Sequence, residues 1–289
     1  MNINHLRYFM EVCKCKNITK ASESMHVSQP TITTAIKELE NELGFQIFDR
    51  TNNRIGLTPN GSHLSLLTQR MLDSFDNFYS EAIDLGKNQK TVLRLGMPAI
   101  LSTFFYERIV PNFEDAHPHI RLRIFEVPTL TGLEMIDNAS LDFLIGIVDE
   151  ESALAYNFRV VFDTDLMLFM HPDNVLAKEK SISKEMLLDQ PFVMPSKGSM
   201  HYKLIMSKYK DAPLHVVLYS TQMQTIRYMI RENLAVTILY KQVFKSDDQI
   251  CKVPLKEPLL AKIGLFRKKN IYVTTAMKTF ASFVLELQE

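Results

Sequence analysis

Gln29, Thr31, Thr33, Thr34 and Lys37 crowd into one short polar stretch. Side chains of these types suit the reading of base edges in a duplex. A Gln amide pairs bidentately with adenine, a Thr methyl meets the methyl of thymine, and a Lys ammonium reaches phosphate. They can act together only from one face of a helix whose other face is buried. Ile32, Ile36, Leu39 and Leu43 recur every three or four residues and supply that buried stripe. Ser28 is suited to cap the start, and Pro30 sits in the first turn, where a missing N–H costs little. Gly44 fits the stop.

A shorter helix precedes this one, with Thr19 as its expected N-cap and Ala21 and Met25 one turn apart on one face. Helix, joint of a few residues, helix is the helix-turn-helix arrangement, and the N-terminal end of its second helix meets base edges. Before it, residues 3–16 read as a helix with Leu6, Phe9, Met10 and Cys13 inward, ended by Asn17. After Gly44 the chain alternates as a short strand through Phe45 and Ile47. A turn at Asn52-Asn53 follows, and Arg54-Ile55-Gly56-Leu57 returns. Arg50 and Arg54 stand at the base of this hairpin, placed as a wing to touch backbone phosphates.

Together these residues resemble the winged helix-turn-helix of LysR-type transcriptional regulators. Ser28-Gln29-Pro30, Leu39-Glu40, Leu43-Gly44, Phe48-Asp49-Arg50 and Leu57-Thr58-Pro59-Asn60-Gly61 stand where that family's signature has them. The match is long and ordered. Two departures occur: Thr33 where Ser is usual, and Lys20-Ala21-Ser22 with one Ala where two are common. The resemblance implies a double-stranded promoter DNA partner, contacted by Thr19, Ser28, Gln29, Pro30, Thr31, Thr33, Thr34, Lys37, Arg50 and Arg54. A three-helix module used for protein contacts alone is the alternative.

Composition bounds the rest. At 289 residues the chain should hold two or three folding units, and 46% hydrophobic residues suffice for sizeable cores. Net charge is zero, so bulk electrostatics does not announce a nucleic-acid binder, and affinity should lean on dimerisation. The N-terminus does not read as a signal peptide and no apolar run approaches a membrane span, so the expected place is the cytoplasm, with no membrane partner. The three cysteines suit a reducing compartment. Cys13 and Cys15 point to different sides of a helix, Cys251 is remote, and the eight histidines lack ligand spacing, so neither metal nor cofactor is expected.

From Thr58, a cap followed by Pro59, a long helix begins. Leu64, Met71, Phe78 and Leu85 repeat at seven residues, with Thr68, Phe75 and Ala82 between and Leu67 and Leu72 widening the stripe. This predicts the seam of a helix pair; the alternative is a helix packed on its own domain. The family uses this helix for dimerisation, and a symmetric dimer lets two recognition helices meet two half-sites. Family members are often tetramers, and RNA polymerase stands among the implied partners. Gly86-Lys87-Asn88-Gln89-Lys90 reads as a hinge.

Beyond Thr91 strands alternate with helices, which predicts an α/β unit with parallel, doubly wound sheets. Strands are expected at 92–97, 120–124, 141–147, 165–170, 192–194, 216–219, 234–239 and 263–266, and a closing helix at 275–287. The pattern resembles the two-lobed, periplasmic-binding-protein-like effector domain of the same family. The expected division is 1–58 for the winged helix-turn-helix, 59–90 for the dimerisation helix and hinge, and 91–289 for the effector domain. Its lobe one is 91–162 with 268–289, and its lobe two is 163–267. Where the family has a Gly pair and a Pro, this chain has Glu232-Asn233 and Tyr240.

Ligands in open α/β sheets bind beyond the C-terminal strand ends, where helix N-termini present free N–H groups. Ala99, Leu101, Ser102 and Thr103 form one candidate wall, with Ser102 or Thr103 as helix cap. Ser196, Lys197, Gly198 and Ser199 form the other, and Pro128, Thr129, Thr221 and Gln222 end in the same crevice. An anionic small-molecule effector fits that chemistry; the alternative is that the hydroxyls only cap helices. The sequence shows no Gly-x-Ser-x-Gly elbow, no P-loop and no His/Asp/Cys cluster, so an enzyme is not expected.

Overall fold

The computed structural model describes residues 1–49, 55–85, 91–211, 213–245 and 247–286. They fall into two compact units, Met1–Lys87 and Asn88–Glu289.

In the first unit, α1 (Ile3–Cys15) packs on α2 (Ile18–Ser24) and α3 (Gln29–Leu43). Leu6, Phe9 and Val12 enter the core, with Ala21, Ile32, Ile36 and Leu39 opposite them; Met10 and Cys13 lie only at its margin. Asn17, not Thr19, caps α2: its carboxamide oxygen accepts the Lys20 N–H at 3.0 Å. The helix therefore starts two residues earlier than expected and Thr19 lies inside its first turn. Strands β1 (Phe48–Asp49) and β2 (Gly56–Leu57) pair antiparallel. The hairpin turn expected between them, with Arg50 and Arg54, lies outside the described residues.

Helix α4 (Pro59–Asp84) begins as expected, with the Thr58 hydroxyl accepting the Gly61 N–H at 2.9 Å. Gly61 is where α4 meets the wing: a Cβ there would stand 2.1 Å from the Ile47 carbonyl oxygen. Three residues expected on the seam, Leu64, Thr68 and Leu72, belong to the first unit's interior instead. Thr68 is 3% exposed, and Leu64 packs against the same core as Leu72, because this face of α4 lies on α1. Leu67, Met71, Phe75 and Phe78 remain exposed along a second face.

In the second unit β3 (Thr91–Met97), α5 (Ala99–Ala116), β4 (Ile120–Glu126), α6 (Thr129–Asp137) and β5 (Phe143–Ile147) alternate, and β3 pairs in parallel with both β4 and β5. A short α7 (Glu150–Ala155), capped by Asp149, leads into β6 (Asn157–Met170). Then follow β7 (Pro191–Met194), α8 (Met200–Tyr209), β8 (His215–Tyr219), α9 (Met223–Arg231), β9 (Thr237–Tyr240), β10 (Cys251–Arg267) and α10 (Thr275–Glu286). The main sheet runs β4-β3-β5-β10-β6-β9, and β7 and β8 form a parallel pair beside it.

Parallel pairing thus holds for β4-β3-β5 and for β7-β8. The centre differs: β10 is antiparallel to both β5 and β6, and β6 to β9. The expected strands 165–170 and 263–266 are parts of two long strands, which pair from Cys251↔Met170 to Arg267↔Asn157. Their register shifts between Pro254 and Leu259 and again between Ile263 and Gly264. One continuous core, including Phe105, Ile109, Phe113, Phe192, Ile205 and Ile238, covers both ends of this ribbon. Asn233 takes the left-handed backbone, φ 51°, a conformation open to Asn as to few other side chains.

Candidate nucleic-acid interface and ligand crevice

Helix α3 owes its start to Ser28, whose hydroxyl oxygen accepts the Thr31 N–H at 3.3 Å and lies 2.8 Å from the Thr31 hydroxyl. The joint from α2 is closed by the Met25 N–H to Ala21 and the Val27 N–H to the Ser22 carbonyl, both at 3.0 Å, with His26 at φ 53°. Burial of Ile32, Ala35, Ile36 and Leu39 then leaves Gln29, Pro30, Thr31, Thr34 and Lys37 exposed. Thr33 is half-buried, and its hydroxyl donates to the Gln29 carbonyl at 3.0 Å, so its methyl is the group left to offer. Thr19 is exposed in the first turn of α2.

The wing is tied to this helix by a buried carboxylate. Glu40, 5% exposed, accepts the Ile47 N–H at 2.8 Å and the Phe48 N–H at 3.4 Å. The Leu39-Glu40 pair of the sequence is therefore a core residue beside an anchor for the hairpin. An open cavity of about 410 Å³ lies between α1 and α3, lined in part by His5, Tyr8, Pro30, Thr31 and Thr34.

In the second unit, the amides of Leu101 and Ser102 donate to the Pro98 carbonyl at 2.8 and 3.0 Å, which starts α5 at Ala99. Neither Ser102 nor Thr103 caps it. They lie inside the first turns, and their hydroxyls donate back to Ala99 at 2.9 Å and Ile100 at 2.7 Å. Ser102 also meets the Glu126 carboxylate. Leu101 is fully buried in the core, so only its backbone could face a ligand. Ser199 does cap α8, accepting the Tyr202 N–H at 3.1 Å, and Gly198 takes φ 88° just before it. Lys197 and Ser196 are exposed, the Lys197 ammonium 4.9 Å from the Tyr219 ring centre. Pro128 starts α6 and is exposed, whereas Thr129 is 3% exposed and packs over Gly146. Thr221 and Gln222 are exposed at the head of α9.

Aromatic rings join the two candidate walls. Phe104, one residue beyond Thr103, lies 6.5 Å from Tyr240 and 6.1 Å from Phe162. Tyr240 lies 4.8 Å from His201, two residues beyond Ser199. His201 is 6% exposed; its Nε2 is 3.0 Å from the Ile238 carbonyl and its Nδ1 meets no partner. Burial holds its imidazole down to about 4, the Ile238 carbonyl pulling weakly the other way, so the ring is neutral. Burial likewise pushes the Tyr240 phenol far up. The lack of ligand spacing among the histidines gives no hint of this packing in the sequence, and the Phe104-Phe105 run beside Thr103 is its one local sign.

Cys251 is half-buried, its thiol 3.7 Å from the His171 carbonyl and pushed up by burial; burial also pushes Cys13 up to about 12. Among the described residues no three metal-ligating side chains come together, and no described helix is long and apolar enough to cross a membrane.

A capped reading helix with a tied wing, joined in one chain to a mixed α/β unit with two helix heads around an aromatic floor, is the architecture of a ligand-responsive DNA-binding regulator. Residues 3–62 match the family model described as bacterial regulatory helix-turn-helix protein, lysR family, and residues 86–289 match the LysR substrate binding domain. The chain is 30% identical over 285 residues to an uncharacterized HTH-type transcriptional regulator, YwbI, of Bacillus subtilis, covering 97% of this chain and 94% of that one. It is 25% identical over 298 residues to the malolactic fermentation system transcriptional activator of Lactococcus lactis, covering 100% and 99%. Among solved structures, a single-site variant of full-length OxyR from Pseudomonas aeruginosa superposes with TM-score 0.68 at 23% identity, covering 98% and 94%. Full-length BenM superposes with TM-score 0.60 at 21% identity, covering 99% and 96%. The chain belongs to the LysR family of transcriptional regulators. Members of this family bind DNA and small-molecule effectors, form oligomers and are not enzymes.

Proposed function

We propose that this regulator reads one promoter sequence through Gln29, Pro30, Thr31, Thr33 and Thr34 in the major groove. Thr19, Ser28, Lys37, Arg50 and Arg54 hold the flanking phosphates. The observation that carries this reading is the row of exposed polar side chains at the Ser28-capped start of α3, backed by the buried stripe of Ile32, Ala35, Ile36 and Leu39. The exposed Leu67, Met71, Phe75 and Phe78 of α4 pair with the same stripe of a second copy, placing two reading helices on two half-sites. Dimers assemble further into tetramers and meet RNA polymerase at the promoter, in the cytoplasm. Residues 1–58, 59–90 and 91–289 serve as reader, stalk and sensor.

An anionic effector binds between lobe one (91–162 and 268–289) and lobe two (163–267), at the heads of α5 and α8. Pro128, Thr129, Thr221 and Gln222 stand at the heads of α6 and α9, toward the same crevice. Helix N-termini attract anions through free N–H groups and aligned dipoles. Binding acts on DNA only in so far as the effector favours one packing of the oligomer over another. Gln29→Ala tests the reader: specific-site affinity should fall by about 1–3 kcal/mol while weak binding to random DNA persists. Fluorescence anisotropy on both duplexes reads this out, and equal losses on the two would show that Gln29 does not read bases.

A further inference from the structure

A helix with its side chains is about 10–12 Å across and the major groove about 12 Å wide, so a reading helix fills the groove. An element packed alongside it then meets the phosphate rim. Helix α1 packs alongside α3. Between them lies the open cavity of about 410 Å³, whose lining joins Pro30, Thr31 and Thr34 of the reading row to His5 and Tyr8 of α1.

Two donors in this cleft are unused. The hydroxyls of half-buried Tyr8 and exposed Thr34 meet no partner among the described residues. The Thr31 hydroxyl differs, since Ser28 holds it at 2.8 Å. Tyr and Thr hydroxyls are regular donors to phosphate oxygens. At the far end of the cleft, exposed Glu38 holds its carboxylate 3.5 Å from His5 Nε2. A negative charge there repels a free anion, so the cleft suits a phosphate carried in by a docked duplex.

Resting on the reading of α3 above, we propose that the cleft between α1 and α3 seats one backbone phosphate of each half-site. The Tyr8 hydroxyl donates to that phosphate, and the Thr34 hydroxyl stands beside it with the Thr34 methyl left for the base. Tyr8 is thus a positioning contact that carries no sequence information. Fluorescence anisotropy of the full-length protein on a specific and a random duplex, at several salt concentrations, tests this. Tyr8→Phe keeps the ring and removes the donor. Affinity for both duplexes should fall about tenfold with the salt slope unchanged, because a neutral donor releases no counterion. Glu38→Gln removes the repulsion and should tighten both duplexes about threefold at low salt and less at high salt. Unchanged affinity in Tyr8→Phe, or a loss confined to the specific duplex, overturns the phosphate seat and leaves the reading row standing. Glu38→Gln binding no tighter than the unaltered protein overturns the seat as well, and that variant alters only an exposed side chain. Equal losses on both duplexes in Gln29→Ala would sink the reading row instead, whatever Tyr8→Phe does.

Discussion

Gly61 sets how closely α4 can approach the wing, and replacing it with Ala measures that approach. The added Cβ would stand 2.1 Å from the Ile47 carbonyl oxygen and 3.0 Å from its carbon, so backbone must move by about 1 Å. That carbonyl accepts both the Thr58 N–H at 3.0 Å and the Thr58 hydroxyl at 3.2 Å. Separating them loses two hydrogen bonds worth about 1 kcal/mol each, and over-packing adds about 1–2 kcal/mol. Removing a glycine from the helix returns up to about 1 kcal/mol. A net loss of about 2–3 kcal/mol remains, a factor of about 30–150 in the local opening equilibrium. Gly56 is the control, because a Cβ there meets nothing within 4 Å. Hydrogen–deuterium exchange over residues 44–62 of the full-length protein should speed up by that factor in Gly61→Ala and stay within threefold in Gly56→Ala. Unchanged exchange in Gly61→Ala, or equal effects in both, would refute the close-approach account.

Three further outcomes are expected. Thr68→Val removes a buried hydroxyl that has no partner at nearly constant shape, and should raise the denaturation midpoint by about 1 kcal/mol of stability; a lower midpoint would mean the hydroxyl is paired. Burial alone would push the Asp247 carboxyl up, but hydrogen bonds from Arg231 and Arg227 hold it below its ordinary 3.8. Its ion pairs therefore stabilise the fold above that pH and fade as pH falls through the lowered value. Asp247→Asn should cost about 1–2 kcal/mol in a urea titration at pH 7, and the gap to the unaltered protein should narrow as pH falls below 3.8. His201 stays neutral in the fold down to about 4, whereas the unfolded chain takes a proton near 6.5. Stability is lost as pH falls from 6.5 towards 4, by about 2 kcal/mol at pH 5, and His201→Gln should flatten that slope in melts recorded across the range.

The reading helix was legible because several local signals agreed. Ser28, Pro30, the stripe from Ile32 to Leu39, and Gly44 each specify the same start, face and stop. The neighbouring cap was misplaced because Asn17 and Thr19 are both competent, and only the left-handed Lys16 before Asn17 decides between them. Seven-residue spacing marked α4, yet it could not say which flank of the stripe Thr68 occupies, since α1 claims that flank from outside the helix. The long strands stayed hidden for a similar reason. Lys256-Glu257-Pro258 breaks the apolar alternation of β10 where its register shifts, so one strand reads as fragments. Strand direction at the sheet centre depends on pairing between segments some hundred residues apart, which no local pattern carries. His201 and Tyr240 were missed because their isolation in sequence says nothing of the rings that meet them.

The paired ribbon of β6 and β10 makes the sensor unit a single mechanical piece rather than two modules on a tether. Neither end can be excised, transplanted or recombined without cutting strands that the other end also needs. A chimera meant to exchange ligand preference would therefore have to carry both strands with their register shifts intact. Under the effector reading proposed above, variation of the helix heads offers the easier path to a new ligand, because those residues can change while the ribbon stays whole.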